Sequence, residues 1–437
     1  MAQARAAGAI GAVVIGQALA HPHPHPHPLP EALQGWPLIE VADTLQALGQ
    51  LAGAWRDRFT GPVLAVTGSN GKTTVTQMLA SVLQTHWPQT SLATQGNFNN
   101  EIGLPLTLLR LRAEHQAAVV ELGMNHPGEI ARLAAIAKPT VALVNNAQRE
   151  HQEFMGTVGA VALENGQVFQ HLQNQGIAVF PADEPYADLW LNLATNPSPQ
   201  VLRFSATPGV EAEVNLLQAE WRGAHWQVSV ATPVGEIVFC LALAGRHNVR
   251  NALAVIAGAL AAGVPLKDIV KGLESFQAVS GRSRVLSLSR TPEPLTVVDD
   301  TYNANPDSVR AAIQMLAGLP APRLLVLGDM GEVGDQGPAF HTEAGVEAKA
   351  AGIDHLFTLG ALSQASAKAF TGARHFEDID TLNQAVKNEL PQLGSMLVKG
   401  SRFMKMERVI ASLPEMLAPT PSTSPRQKNS KEGLTCS

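Results

Sequence analysis

The segment from Val63 to Thr74, VLAVTGSNGKTT, limits what this chain can fold into more than any other stretch. Val63 to Thr67 reads as a short buried strand, and a helix is expected from about Lys72 to Leu83. Between them lies a glycine-containing turn, giving the run Thr67-Gly68-Ser69-Asn70-Gly71-Lys72-Thr73-Thr74. A strand, a glycine loop and a helix in that order are what a phosphate-binding loop requires. The glycines let backbone N–H groups turn inward around anionic oxygens, and the helix N-terminus adds partial positive charge. Lys72 is then placed to reach the β- and γ-phosphates, and the Thr73 hydroxyl to ligate Mg²⁺. The spacing departs from the usual form, because Val66 rather than a glycine stands six residues before the lysine. A glycine–lysine turn that only caps a helix is the competing reading. The coincidence of all three elements favours nucleotide binding, but a phosphate loop does not name a reaction.

The same alternation recurs along the chain. Ala117 to Leu122 and Thr140 to Asn145 are further buried-strand candidates, with a helix from Gly128 to Ala137 between them. Residues 200 to 243 show short alternating runs, such as Trp226 to Ala231 and Ile237 to Leu243, and suggest an antiparallel insert; a helix from about Asn248 to Ala262 follows. After a polar, proline-containing junction at Arg290 to Pro294, strands are expected at Leu295–Asp299, Arg323–Leu327, His355–Leu359 and Ser395–Val398. Strands alternating with helices imply an α/β fold with parallel sheets covered on both faces.

The two ends of the chain read differently. Residues 1 to 20 imitate a signal peptide, yet their apolar stretch is mostly Ala and Gly. A helix over Ala2 to Ala7, turning at Gly8 into a strand over Ile10 to Ile15, is the preferred reading. The repeated His-Pro from His21 to Pro28 is expected to be an extended solvated loop rather than a metal site, because alternate histidines of a polyproline helix point in different directions. From about Pro419 the chain is rich in Pro, Ser, Thr and Lys and is expected to be disordered.

Composition excludes several classes. A formal charge of −6 argues against a general nucleic-acid binder. No window approaches the roughly 18 apolar residues of a membrane span. Two cysteines, Cys240 and Cys436, are too few and too distant for a disulfide framework. A cytoplasmic enzyme, acting as a monomer, is the expectation.

Six further segments, in order, carry a resemblance. They are GNFNNEIGLPLT (Gly96–Thr107), ELGMNHPGEI (Glu121–Ile130), GRHNVRNA (Gly245–Ala252), DDTYNANPDS (Asp299–Ser308), LGDMGEVG (Leu327–Gly334) and VKGSRFMKME (Val398–Glu407). Together with the phosphate loop they resemble the Mur ligases, which are related to the folylpolyglutamate synthases. The stretch Asn303 to Ser308 is closest to the branch that adds D-alanyl-D-alanine. The resemblance implies three domains: an N-terminal one for the UDP-sugar (1–58, here apparently truncated), a central P-loop ATPase with a parallel sheet and a small antiparallel part (59–290), and a C-terminal Rossmann-like one (291–418), before the tail (419–437). It also implies an ATP- and Mg²⁺-dependent ligase that activates a carboxylate of UDP-N-acetylmuramoyl-tripeptide as an acyl phosphate for attack by the amine of D-alanyl-D-alanine.

Site residues carry over by position. Gly68 to Thr74 would hold the nucleotide, and Lys72, Glu121 and His151 would be catalytic. Thr73, Glu121 and His151 would hold metal, the carboxylate of Glu121 because it ends a strand beside the phosphate loop. His247, Asn248 and Asn251 suit adenine or ribose, although Asn248 could simply cap a helix. Arg282, near the second junction, would contact the ATP phosphates, and Asp300, Tyr302 and Asn303 would face the nucleotide from the third domain. Asn97, Asn99, Asn100, Asp329, His341 and Lys399 would line the substrate cleft, and Ser401 and Arg402 neighbour it. One departure stands out. The resemblance implies a carbamate-modified lysine fourteen residues after His151, and this chain has Asn165 there. Asn cannot form a carbamate, so the Asn165 carbonyl or Glu164 is expected to replace that metal ligand. Rival readings are a ligase of the same type with another acceptor, a nucleotide-binding protein without turnover, and a secreted metal binder built on the His-Pro tract.

Overall fold

The protein is described by a computed structural model covering residues 2–16, 35–194, 200–289, 293–414 and 416–417. The His-Pro tract, Cys436 and the tail from Pro419 lie outside these residues.

The chain begins with helix Ala2–Ala6 and strand Ala12–Ile15, which pairs parallel with Leu38–Val41. Gly8 makes the turn between helix and strand in the left-handed region, at φ 93°. Val13, Ile15 and Ile39 of this small sheet stay exposed. Helix Thr44–Arg56 follows, capped by the Asp43 carboxylate, which accepts from the backbone N–H groups of Leu45 and Gln46. At its other end Arg56 is only 2% exposed. Its guanidinium donates to the carbonyls of Ala137 (3.0 Å), Phe59 (2.7 Å) and Lys138 (2.9 Å). One side chain therefore closes the C-terminal end of helix Glu129–Ala137 and fastens the first unit to the second.

Among the described residues the second unit is built on a nine-stranded sheet. Val63–Thr67 lies between Ala117–Glu121 and Val141–Val144, parallel to both. All residues of these strands are buried, which is why they read as unbroken apolar runs. Helix Lys72–His86 presses Val75, Met78, Leu79, Val82 and Leu83 into the core on one face of the sheet. The segment expected to be an antiparallel insert is only partly so. Helix Ala187–Ala194 lies between strands Ile177–Pro181 and Gln200–Ser205, and a helical crossover of this kind returns the chain in the same direction. Gln200–Ser205 is thus parallel to its neighbours on both sides, and the antiparallel ladder starts only with Val214–Trp221, Trp226–Thr232 and Gly235–Leu241. It extends the main sheet rather than forming a separate one.

The third unit has a seven-stranded sheet ordered Arg374–Phe376, His355–Leu359, Arg323–Gly328, Ser395–Lys399, Leu295–Asp300, Arg284–Leu288, Met416–Leu417. Its first five strands are mutually parallel. Arg284–Leu288, which precedes the expected junction at 290–294, pairs antiparallel with Leu295–Asp300, so this sheet begins before residue 290. Apolar clusters cover both of its faces.

Replacing Arg56 by Ala strands three carbonyls at a buried junction. We expect a loss of at least about 3 kcal/mol in urea unfolding, at roughly 1–3 kcal/mol for each unmet buried group. Arg56→Lys should recover only part of it, because an ammonium lacks the planar fork that meets carbonyls in three directions. Unchanged unfolding of Arg56→Ala would show that the clamp is dispensable.

Candidate active site

The loop after Val63–Thr67 adopts a conformation that only its glycines permit. Gly68 has φ 130°, and a Cβ there would lie 3.0 Å from the backbone nitrogens of Asn145 and Asn146. Gly71 has φ 81°, and its Cβ would lie 2.6 Å from the Asn251 side-chain oxygen. The loop is braced from outside by amides. Asn70 N–H donates to the Asn146 side chain (2.9 Å), and Asn145 and Asn146 both donate to the Asn70 carbonyl. Asn145 also donates to Asn251, which donates to Asn248, which donates to the Ala244 carbonyl. Asn248 and Asn251, expected at adenine or ribose, line the cleft but use these side-chain atoms to hold the phosphate loop. Asn248 does not cap its helix, which starts at Arg246 after Gly245.

The loop opens onto a cleft of about 970 Å³ whose walls come from the second and third units. Ser69 to Thr74, Asn97, Asn99, Asn100, Glu121 and His151 line one wall. Arg282, Asp300, Tyr302, Asn303 and Lys399 line the other, with His247 of helix Arg246–Ala261 against them. The parallel strands of both sheets end here, at the edge where α/β sheets bind ligands. Gly68 lies at the base of the loop and is not a lining residue.

Lys72 donates to the carbonyls of Gly68 (2.6 Å) and Ser69 (3.1 Å) and to the Glu150 carboxylate (3.0 Å). Glu121 is 2% exposed. One of its oxygens accepts from Asn99 (2.7 Å), while the other is buried without a hydrogen-bond partner. Asn100 uses its carbonyl to cap helix Gly103–Leu108 through the N–H groups of Ile102 and Gly103.

On the facing wall, Lys399 donates to Asp300 (2.6 Å) and to the Asn303 carbonyl (2.9 Å). Burial alone would raise the Asp300 carboxyl, but Lys399 outweighs it and the net shift is downward. Burial pushes the His247 imidazole below its ordinary value; Asp300 opposes this shift and Lys399 adds to it. The Arg282 guanidinium stacks on Tyr302 at 3.9 Å, and Arg402 lies over the same ring at 5.8 Å.

Contacts of Arg149, Asn305 and His151 tie the walls together, and none was anticipated in the sequence. Arg149 binds Asp307 and Glu343, each at 2.8 Å. Asn305 donates to the Asn70 side chain (2.9 Å). His151 lies 2.6 Å from Glu332, and this contact lowers the Glu332 carboxyl against the effect of burial. The charged pair Arg149-Glu150 beside His151 was the available signal, but nothing in the sequence showed what it faced.

Four expected residues do not reach the cleft. The Asp329 carboxylate accepts from the N–H groups of Ser363 (2.7 Å) and Leu362 (3.2 Å). His341 is fully buried, accepting from Met330 N–H (2.9 Å) and donating to the Gly337 carbonyl (2.7 Å). Both support the turn after strand Arg323–Gly328 from behind. The Asn165 carbonyl accepts from the Thr67 hydroxyl (2.7 Å), underneath the strand. Glu164 accepts from the N–H groups of Gly128 and Ile130, both at 2.8 Å, at the start of helix Glu129–Ala137. Asn165 is thus engaged with Thr67 and Glu164 with the N–H groups that open a helix, both away from the cleft lining.

Among the described residues no three His, Cys, Asp or Glu side chains gather into a ready metal cage. The open Glu121 oxygen and the Thr73 hydroxyl nonetheless fit a hard cation that takes its remaining oxygens from a nucleotide and water, as Mg²⁺ does. No helix among the described residues is long and apolar enough to cross a membrane.

Comparison with known proteins agrees with this geometry. Residues 66–259 match the Mur ligase middle domain, and residues 281–402 match the Mur ligase, glutamate ligase domain. The UDP-N-acetylmuramoyl-tripeptide–D-alanyl-D-alanine ligase of Escherichia coli (strain K12) is 40% identical over 382 residues, 87% of this chain and 82% of that protein. The enzyme of the same name from Bacillus subtilis (strain 168) is 34% identical, over 89% of this chain and 83% of its own. The crystal structure of MurF from Acinetobacter baumannii superposes with a TM-score of 0.78 at 36% identity, covering 86% of this chain and 81% of that one. A phosphate loop of this form, facing a second α/β unit across the cleft, and relatives at these identities over most of their length lead to one conclusion: the chain belongs to the Mur ligase family.

Proposed function

We propose that this chain joins D-alanyl-D-alanine to the terminal carboxyl of UDP-N-acetylmuramoyl-tripeptide, hydrolysing ATP to ADP and phosphate. The observation that carries the proposal is the phosphate loop opening onto a cleft walled by both α/β units, in a chain 40% identical to a ligase of that name. The backbone of Ser69 to Thr74 would receive the phosphates, and Lys72 would leave its carbonyl partners to meet the γ-phosphate. The substrate carboxylate then attacks the γ-phosphorus and ADP departs. The amine of the dipeptide attacks the resulting acyl carbon, phosphate leaves, and the amine proton is lost to solvent or a nearby base. Mg²⁺, held by Thr73 and Glu121, would neutralise charge that builds up as ADP leaves. His151 stands on the same side of the cleft, beside Lys72 and Glu150. Arg282, Tyr302 and Asn303 would contact nucleotide or dipeptide from the third unit, while Lys399 would set the position of Asp300. Asn97 and Asn99 would meet the acceptor, Asn99 also orienting Glu121. We assign the UDP-sugar end of the substrate to the unit before residue 59. A single chain supplies both walls, which supports action as a monomer, and the need for ATP supports a cytoplasmic location.

Incubation with ATP, Mg²⁺, the UDP-muramoyl tripeptide and D-alanyl-D-alanine should release phosphate only when both acceptors are present and yield a UDP-muramoyl pentapeptide by mass. Phosphate release indifferent to the acceptors, or none at all, would overturn the proposal. Lys72→Ala should lower kcat by about 10²–10³-fold, the usual effect of losing one donor to transition-state charge. Chelation of Mg²⁺ with EDTA should abolish turnover, and added Mg²⁺ should restore it.

The facing wall makes stability depend on pH. The folded His247 titrates below its ordinary value of 6.5. As pH falls below about 6.5 the unfolded chain therefore binds the proton first, and stability drops until the folded value is passed. Asp300 behaves alike further down: its contribution is complete above its ordinary 3.8 and is lost as pH falls through the lower folded value. In urea titrations, His247→Gln should flatten the upper segment and leave the lower one. An unchanged profile would remove His247 from the account.

A further inference from the structure

Among the described residues Glu150 is the one buried acid of the cleft that the proposed mechanism does not use. It is 5% exposed and lines the cleft. One carboxylate oxygen lies 3.0 Å from the Lys72 ammonium and 3.9 Å from His151 Nε2. The other oxygen is buried without a hydrogen-bond partner. A buried carboxylate is costly unless both oxygens are satisfied, so the open oxygen needs an explanation.

Position supplies one. The lysine of a phosphate loop contacts the terminal phosphates, and a carboxylate touching that lysine stands where the terminal phosphate arrives. Two anions so placed repel each other strongly in a cleft with little water unless a cation lies between them. Lys72 alone cannot do this, because its single positive charge, turned toward the γ-phosphate, cannot neutralise both that phosphate and Glu150. Asn165 does not line the cleft, and its carbonyl accepts from the Thr67 hydroxyl.

Resting on the ligase reading, we propose that Glu150 ligates a second divalent cation, bridging its open oxygen to the terminal phosphate, with His151 Nε2 as the neighbouring ligand. The cation at Glu121 is a separate one, since Glu121 lies at the end of the neighbouring strand and carries its own open oxygen. Glu150 thereby takes the role that a modified lysine at position 165 would otherwise fill.

The test titrates Mn²⁺ into the full chain with β,γ-methylene-ATP, reading free Mn²⁺ by electron paramagnetic resonance and analogue binding by equilibrium dialysis. The parent chain should bind two Mn²⁺ per analogue. Glu150→Gln should still bind the analogue with one Mn²⁺, which also shows that it is folded, and should bind the second at least about tenfold more weakly. Glu150→Asp, which keeps the charge, should retain both. The proposal is overturned if Glu150→Gln keeps two Mn²⁺ at parental affinity, if the parent binds only one, or if both variants lose the analogue. Tighter analogue binding by Glu150→Gln with both ions retained would show Glu150 to be a mere competitor for Lys72, and would also overturn it. Failure of the parent chain to bind the analogue at all would instead refute the ligase reading, and this inference with it.

Discussion

A loop that turns its N–H groups inward to receive an anion turns its carbonyls outward, and those carbonyls must be met from somewhere else. Here Lys72 meets those of Gly68 and Ser69, and side-chain amides meet that of Asn70. Asn145 and Asn146, at the end of the neighbouring strand, hold the Asn70 carbonyl, and Asn251 and Asn248 continue the chain into a helix that covers the sheet. Side-chain amides suit this task because each offers both a donor and an acceptor without adding charge to a site that must receive phosphate. The positions of strand, helix and facing wall all follow from keeping this loop in one shape. Gly71 has no room for a side chain because Asn251 already occupies the space.

Around that loop the charges are arranged in pairs rather than as a general positive field. Lys72 meets Glu150 and Lys399 meets Asp300. A cleft built for a highly charged nucleotide thus stays close to neutral until the ligand enters. Each cation is held in place by an anion that the incoming phosphates must displace or bridge. The uncompensated oxygens of Glu121 and Glu150 mark where the exchange remains incomplete.

Much of this was legible in the sequence, and the failures are instructive. The strand–glycine loop–helix pattern located the phosphate site, and apolar runs such as Ala117–Glu121 located the central strands, because strands buried on both faces have no polar side to disguise them. Gln200–Ser205 was misread because its exposure is uneven and its direction is set by a helix before it, not by its own residues. Asp329 and His341 stand near cleft segments in sequence yet face inward. A strand end and a helix turn decide which way a side chain points, and no motif records that. Asn165 and Glu164 failed for a similar reason: both occupy a helix whose partners lie beneath the sheet. Arg149, Glu150 and Asn305 went unnoticed because their partners are more than seventy residues away in the chain.

The grip of Arg149 on Asp307 and Glu343 has a mechanical consequence. Arg149 sits on the same short stretch of backbone as Glu150 and His151, so any hinge movement that carries the third unit away pulls on the residues beside the terminal phosphate. Apart from the Asn70–Asn305 contact, the phosphate loop is braced within the central unit and would keep its shape. An open molecule would therefore hold a nucleotide loosely, with its hydrolysing side unfinished, and bringing the lobes together would finish it. In such a design leverage would hold back idle ATP breakdown, because the residues beside the terminal phosphate are tied to the third unit.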